Sequence, residues 1–335
     1  MKPFTFLKIF VLVSLVFGIL EISLRLPYFQ SVRFKLADKE LHCLSEDRLP
    51  WIRLCPNRRL TLFHPAKGYS YNIRTDENGE RISYEPGTTP LAVQKRIWIL
   101  GDSVAMGYLV EDRESISWQL AERIGFSGRV RNLGVDAVGT FGIQERLGEV
   151  LLQSDPPNVA YWIYHISDVA DSFREEALFE SKARRLLTRI SFYLSRYSAV
   201  FNGWKTLWEN YRPALAENRI SLRDETATES LGEDHPHRRA LRRLFDFCED
   251  KKIPLVIVFL PEPNSANQPI FQSPILNDVQ SLALENRISV LDLRPRLESN
   301  WKKKHERFFL ARDGHPNPYT YGLIADFLNE DLTRR

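Results

Sequence analysis

Three residues whose side chains can together perform nucleophilic catalysis occur at two distant places in this chain. Ser103 follows Gly101 and Asp102 at the end of a short apolar run. Near the C-terminus, Asp313 and His315 stand two positions apart in a loop that contains Gly and Pro. A serine hydroxyl becomes a nucleophile when an imidazole takes its proton, and a carboxylate fixes the tautomer of that imidazole. Each segment alone is also typical of a plain turn, so the prediction requires folding to bring them together.

The elements around Ser103 favour a role in catalysis. Apolar residues 97–100, entered from charge and left through Gly-Asp, predict a buried strand. Residues 104–124 carry apolar side chains at helical spacing and predict a helix. Ser103 then lies where a strand passes into a helix N-terminus, whose first N–H groups stabilise negative charge that develops nearby.

Further apolar runs alternate with helical stretches along the rest of the chain. They predict strands at 130–133, 159–164, 254–260 and 288–291, and helices at 141–152, 241–250 and 321–332. This alternation favours right-handed crossovers and a parallel sheet. We therefore predict an α/β fold, a three-layer flavodoxin-like sandwich with a five-stranded parallel sheet. The candidate residues fall just beyond strand C-termini or in the last loop, at the edge where such sheets bind ligands.

Three sequence blocks, in this order, resemble those of the SGNH (GDSL) hydrolase family. They are Gly101-Asp102-Ser103, Asn132-Leu133-Gly134 and Asp313-Gly314-His315-Pro316-Asn317, and the resemblance covers Lys95–Leu328. It implies an ester hydrolase with a catalytic triad of Ser103, His315 and Asp313. It also implies an oxyanion hole that includes the N–H groups of Ser103 and Gly134, an acyl-ester substrate on a glycan or lipid, and no metal or organic cofactor.

One block departs from the family pattern. Members usually carry Gly-x-Asn-Asp after the third strand, where the Asn donates to the oxyanion, but this chain reads His165-Ile166-Ser167-Asp168. Ser167 would then take the place of the amide donor. Loss of one such donor typically costs about 3–4 kcal/mol of transition-state stabilisation. Two alternatives therefore stay open: an O-acyltransferase acting on a cell-surface polysaccharide, and a binding protein that keeps the fold without catalysis.

The N-terminal residues 1–26 are mostly apolar, with charges near both ends. They approach the length of about 20 residues that a bilayer requires, and the absence of a small-residue cleavage pattern favours a signal-anchor over a cleaved signal peptide. We expect a single-pass transmembrane helix with the catalytic domain outside the cytoplasm. The net charge of +3 is dispersed and gives no indication of nucleic-acid binding.

Two other segments flank or interrupt the predicted hydrolase domain of residues 95–332. Residues 27–94 read as a connector with an edge strand or hairpin near 69–74. Within it, Cys43 and Cys55 either pair, which would stabilise the fold by about 3 kcal/mol, or remain free thiols. An insertion at 171–237 is helical and aromatic up to Tyr211 and polar from 216 onward. Its helices pack on the domain, cover Ser103 as a lid, or lie against a membrane.

Overall fold

The computed structural model describes residues 3–45, 48–64, 68–85, 87, 95–211, 230–233, 235–264, 266–304, 307–311 and 313–335. In the N-terminal helix, side chains are described from Leu7 onward. Most of the predicted polar loop at 216–237 lies outside the described residues.

Five parallel strands form the central sheet. They are β5 (Lys95–Gly101), β6 (Gly128–Asn132), β7 (Val159–Tyr164), β8 (Leu255–Phe259) and β11 (Ser289–Asp292). Their order across the sheet is β11-β8-β7-β5-β6, and every pairing is parallel. In order of appearance this is 5-4-3-1-2, the flavodoxin-like arrangement. The predicted five-stranded sheet is therefore confirmed, with strand ends within two residues of the predicted ones.

Helices cover both faces of the sheet. One face packs against α4 (Ile116–Arg123), α11 (Arg294–Lys304) and α12 (Pro318–Arg334). The other face packs against α5 (Thr140–Leu151), α9 (Pro236–Asp250) and α10 (Pro274–Glu285). Every residue of β7 is buried, and alternate side chains enter opposite cores. Since a strand covered on both sides needs apolar residues throughout, the continuous apolar runs of the sequence follow from this architecture.

The predicted single helix at 104–124 is wrong. The chain instead forms the one-turn helix α3 (Ser103–Met106), a loop with a 3₁₀ turn at Asp112–Glu114, and then α4. Gly107 ends α3 in the left-handed region with φ of 78°, and Leu109 is also left-handed with φ of 65°. Two left-handed residues so close together cannot continue a right-handed helix.

The segment before the sheet folds against the main domain. It contains α1 (Pro3–Ser23), α2 (Gln30–Leu41) and two hairpins: β1 (His42–Leu44) pairs with β2 (Ile52–Leu54), and β3 (Arg59–His64) pairs with β4 (Tyr69–Arg74). Tyr71 and Ile73 of β4 are fully buried in the core beneath the sheet. The strand predicted at 69–74 is thus confirmed as part of a hairpin. A further short pair, β9 (Glu262–Pro263) and β10 (Pro269–Ile270), follows β8.

Two expectations for the N-terminal part have different outcomes. Cys43 and Cys55 form a disulfide bond, which resolves the choice between a pair and two thiols. Within the described residues, no helix has both the length and the apolar character needed to cross a bilayer. The membrane-spanning role of α1 is therefore not confirmed and stays a prediction.

The helical part of the insertion consists of three consecutive helices. They are α6 (Ser167–Glu180), α7 (Lys182–Tyr197) and α8 (Ala199–Tyr211). The helix α6 begins beside the end of β7, and α7 and α8 pack against α2. The insertion is therefore attached to the N-terminal segment as well as to the sheet.

Candidate active site

Ser103 is fixed by the turn that follows β5. Gly101 has φ of 137°, and a Cβ there would come within 2.7 Å of the carbonyl oxygen of Ile163 on the neighbouring strand, so only glycine fits. Asp102 caps α3, because its Oδ1 accepts a hydrogen bond of 2.8 Å from the Val104 N–H. Ser103 is consequently the first residue of α3, with 8% of its surface exposed.

His315 reaches Ser103 from a loop that is bound on both sides. The Leu310 N–H donates to the His315 carbonyl oxygen at 2.8 Å, and Asn317 caps α12 through the Thr320 N–H. The Tyr321 hydroxyl in α12 donates to the Val104 carbonyl oxygen at 2.9 Å. The last helix is thereby tied directly to the helix that carries the serine.

The structure brings Ser103 into contact with the distant loop that carries Asp313 and His315. His315 Nε2 lies 2.9 Å from the Ser103 hydroxyl oxygen. On the other side of the ring, His315 Nδ1 makes a short contact with Asp313 Oδ1, which also accepts the His315 N–H at 3.3 Å. With Nδ1–H on the carboxylate, Nε2 faces the hydroxyl as a proton acceptor. This arrangement can activate a serine nucleophile.

The N-terminal segment forms one wall of the site. The ring of Tyr108 packs edge-on against the ring of His315 at 5.4 Å, and its hydroxyl donates to Asp38 of α2 at 2.8 Å. His64 Nε2 lies 3.8 Å from Asp313 Oδ2. His64 of the N-terminal segment therefore contacts the Asp313 carboxylate directly, and Asp38 binds the tyrosine that packs on His315. The sequence offered no signal for these contacts.

Gly134 does not present an unoccupied oxyanion donor. Its N–H donates to the Asn132 side-chain oxygen at 3.0 Å. A Cβ at position 134 would come within 2.3 Å of the Met106 nitrogen, so the glycine allows the β6 loop to pack against α3. The Asn132 amide in turn donates to the Ala105 carbonyl oxygen at 3.1 Å. Asn132 and Gly134 thus support α3 by contacting its backbone at Ala105 and Met106.

Ser167 also has a partner other than a substrate. Its hydroxyl donates to Asp102 Oδ2 at 2.6 Å. Since a serine hydroxyl carries one hydrogen, that hydrogen is not available to an oxyanion in this arrangement. Ser167 instead completes the binding of the Asp102 carboxylate, whose other oxygen caps α3. In the structure, Ser167, the predicted third oxyanion donor, therefore helps to position Asp102.

His165 joins this network, although the sequence analysis assigned it no role. Its Nδ1 lies 2.5 Å from the Ser167 oxygen, and its Nε2 lies 2.8 Å from Glu262 Oε2. The Ser167 N–H also donates to His165 Nδ1 at 3.3 Å, so this nitrogen contacts both the hydroxyl and the backbone of Ser167. A continuous chain of hydrogen bonds therefore runs from Glu262 through His165 and Ser167 to Asp102, beside Ser103.

The helix α6 also carries buried carboxyl groups, Asp168 and Glu175. Burial raises the pKa of Asp168 well above its ordinary value, and the charge of Asp102 raises it further. Burial also raises the pKa of Glu175 to about 7, although the Gly139 and Gly142 N–H groups bind its carboxylate and oppose that change. Burial in α6 thus makes both carboxyl groups harder to ionise than exposed ones.

Arg81 is a second residue that the sequence analysis did not assign. It is 1% exposed and donates to the carbonyl oxygens of Met106, Gly107 and Val110. Its Nε lies 3.5 Å from Asp112 Oδ1. One guanidinium from the N-terminal segment therefore binds the whole loop between the serine helix and α4.

Comparisons with known proteins give structural similarity only. No protein-family model matches the chain, and no curated relative matches it. A member of the lipolytic protein G-D-S-L family from Veillonella parvula is similar with a TM-score of 0.44 and 16% identity, over 72% of this chain and 99% of the other. A catalytic mutant of an acetylxylan esterase from Geobacillus stearothermophilus is similar with a TM-score of 0.43 and 13% identity, over 72% of this chain and 96% of the other.

Proposed function

We propose that this chain is a serine ester hydrolase of the SGNH (GDSL) type. One observation carries the proposal: His315 Nε2 lies 2.9 Å from the Ser103 hydroxyl while its Nδ1 contacts Asp313. That distance is within the range of a general base and its nucleophile. The position of these groups beyond the C-terminal ends of parallel strands, where α/β sheets bind ligands, supports the same proposal.

In the proposed reaction, His315 removes the proton of the Ser103 hydroxyl as the oxygen attacks the ester carbonyl. Asp313 stabilises the imidazolium that forms. His315 then returns the proton to the departing alcohol, which leaves an acyl group on Ser103. Water, activated by the same imidazole, releases the acid and restores the serine. No step requires a cofactor.

We expect weak stabilisation of the oxyanion to limit the rate of this reaction. The Ser103 N–H begins α3 and has no acceptor within the helix, so it is suited to donate. The N–H of Gly134 and the hydroxyl of Ser167 already have acceptors. Each missing donor typically costs about 10²–10³-fold in kcat. We therefore expect turnover slower than that of a hydrolase with three oriented donors.

The decisive experiment compares purified wild type with Ser103→Ala and a matched control, Ser127→Ala. Ser127 is exposed and donates only to the Ile124 carbonyl oxygen. Ser103→Ala should abolish aryl-ester cleavage and labelling by a fluorophosphonate, whereas Ser127→Ala should keep both. Unchanged turnover in Ser103→Ala would overturn the triad, and failure of the probe to label wild type would favour a protein that binds without catalysis.

A second arm of the same assay addresses the transferase alternative. The acyl donor is supplied with and without a polysaccharide acceptor, and the fate of the acyl group is followed. Acyl transfer to water alone supports the hydrolase. Transfer to the glycan would instead assign an O-acyltransferase that uses the same three residues.

We also propose that α1 associates the protein with a membrane and that the catalytic domain lies outside the cytoplasm. Apolar side chains between Leu7 and Ile22 are about half exposed on all sides of α1, as suits a helix surrounded by lipid. The Cys43–Cys55 disulfide supports an oxidising compartment. Alkylation of intact cells before lysis should leave both cysteines unmodified; modification of both would count against export.

A further inference from the structure

The helix α7 has its apolar side turned away from the protein. Its exposed apolar residues lie within an arc of about 120° at 100° per residue; they are Leu186, Leu187, Ile190, Tyr193, Leu194 and Tyr197. The residues that α7 buries, Phe192 and Ser195, lie on the opposite side. In a helix that only packs on a domain, the apolar stripe faces the core. The orientation of α7 therefore indicates a second contact surface.

The next helix continues this surface. Trp204, Leu207 and Trp208 of α8 are exposed on one side, while Asn202 is buried on the other. The rings of Trp204 and Trp208 stack at 5.7 Å, as those of Tyr193 and Tyr197 do at 6.2 Å. We call the exposed apolar residues of both helices the α7–α8 face.

The composition of this face suits a lipid surface. Tyr and Trp concentrate at membrane interfaces, where an apolar ring and a polar group are both satisfied. The helix α7 contains five Lys and Arg residues and no acidic residue. Lys182, Arg189 and Arg196 flank one side of its apolar stripe at helical spacing. Lys182 is exposed, whereas Arg189 and Arg196 are half-buried, and Arg196 donates to the His42 carbonyl oxygen at 3.2 Å. Cations beside an apolar stripe are typical of helices that lie in the plane of an anionic membrane.

The connection to α1 identifies the bilayer as the occupant. Glu21 near the end of α1 accepts hydrogen bonds from the Ser198 hydroxyl and from the Ala199 and Val200 N–H groups. Arg25 donates to the Tyr197 carbonyl oxygen at 2.7 Å. A helix with apolar side chains on every side cannot be covered by one protein face, whereas lipid covers all of them. Because α1 ends at the corner between α7 and α8, a bilayer around α1 would lie beside the face.

From these contacts we propose that the α7–α8 face docks on the surface of a phospholipid bilayer that contains anionic lipid. The proposal rests on the proposed membrane association of α1, and it does not depend on the hydrolase activity. Docking would hold α2 close to the membrane, since α2 packs against both helices and its Asp38 binds Tyr108 in the site. The catalytic site would then face substrates presented near the lipid surface.

The test places an environment-sensitive fluorophore on single introduced cysteines of the full chain. Leu187→Cys probes the face, and Leu284→Cys on α10 is the matched control; these leucines are 66% and 59% exposed. The native Cys248 is buried and Cys43 and Cys55 are bonded, so they do not compete for the label. Vesicles of phosphatidylcholine and phosphatidylglycerol carry bromine on their acyl chains, which quenches only a fluorophore inserted into the membrane.

We expect both variants to float with the vesicles and the label at position 187 to be quenched at least about twofold more than that at 284, since docked helices sit about 5–10 Å deep. Flotation with equal quenching at both positions would overturn docking of the face while leaving α1 as the anchor. Absence of flotation would overturn both, and aryl-ester turnover would still report on the hydrolase. Shielding of position 187 without vesicles, together with a dimer mass in light scattering, would assign the face to a second copy and refute the lipid contact.

Discussion

The contact between Arg81 and the loop after the serine helix is the most direct test of how this site is positioned. Its guanidinium donates to the Met106 carbonyl oxygen at 3.1 Å and to the Val110 carbonyl oxygen at 2.6 Å, and it also contacts the Gly107 oxygen. The loop carries Tyr108, whose ring packs on the imidazole of His315. Arg81→Met keeps a long side chain at this position but removes every donor.

The expected loss of stability comes from the carbonyl oxygens and the Asp112 carboxylate, which lose Arg81 as a partner. A buried carbonyl oxygen that loses its donor costs about 1–3 kcal/mol, and removing one member of a buried ion pair typically costs about 3–5 kcal/mol. Asp112 keeps part of its pairing, because Arg74 Nε lies 2.6 Å from its Oδ2. We therefore expect Arg81→Met to lower the free energy of unfolding by about 4 kcal/mol.

The effect on turnover distinguishes positioning from stability. A displacement of about 1 Å at a reacting group can cost about 10²-fold in rate, so we expect kcat to fall roughly 10- to 100-fold. Arg131→Met is the matched control, since Arg131 is also buried and paired, with Glu80 at 2.8 Å, but lies on the edge strand β6. It should destabilise the fold comparably and change kcat by no more than about twofold.

Urea unfolding and aryl-ester kinetics at a temperature where both variants stay folded measure these quantities. The positioning argument is refuted if Arg81→Met retains the wild-type kcat, or if both arginine variants lose turnover equally. Arg81→Lys adds a graded check, because an ammonium reaches fewer of the carbonyl oxygens than a guanidinium. Its kcat should fall between those of wild type and Arg81→Met.

Three further predictions concern residues other than Ser103, His315 and Asp313. Ser167→Ala should lower kcat by less than about tenfold if its hydroxyl supports Asp102, whereas an oxyanion donor would cost about 10²–10³-fold; steady-state kinetics separate the two. Reduction of the Cys43–Cys55 disulfide should lower the free energy of unfolding by about 3 kcal/mol for a loop of this length. Urea titration with and without a phosphine reductant measures this difference, and equal stabilities would contradict a stabilising role of the disulfide. Burial lowers the pKa of His237 to about 3 from 6.5, so the unfolded state binds more protons between these values and stability falls as the pH falls. Lowering the pH from 7.5 to 5.5 should cost about 1 kcal/mol through this residue, and that part of the pH dependence should disappear in His237→Gln.

The sheet and the proximity of the triad were predictable from the sequence for a physical reason. A parallel strand covered on both faces must be apolar throughout, so its signal is local, as in residues 159–164 of β7. Right-handed crossovers then bring the ends of these strands to one edge. The meeting of Ser103 and His315 follows from that topology, although 212 positions separate them.

The remaining features depend on contacts between distant segments, which local patterns do not contain. Leu109 adopts a left-handed conformation that its residue type does not favour, so the break in the predicted helix could not be read from spacing. In the sequence, Arg81 is one of many charged residues in a polar segment. Its role depends on contacts with residues 106–110, which no local pattern predicts. The place of Ser167 in the sequence predicts an oxyanion donor, but its hydroxyl donates to Asp102, because the direction of a hydroxyl depends on the nearest acceptor.

Several side chains support the serine-bearing turn by binding its backbone. Asn132 binds the Ala105 carbonyl oxygen, Tyr321 binds that of Val104, and Arg81 binds three carbonyls of the following loop. These contacts approach the serine-bearing turn from β6, from the last helix and from the N-terminal segment. Backbone held from three directions leaves the turn little freedom to shift when charge develops on the substrate. Preorganisation of this kind is the condition under which fixed dipoles stabilise a transition state, and the proposed hydrolase would depend on it because few oxyanion donors are available.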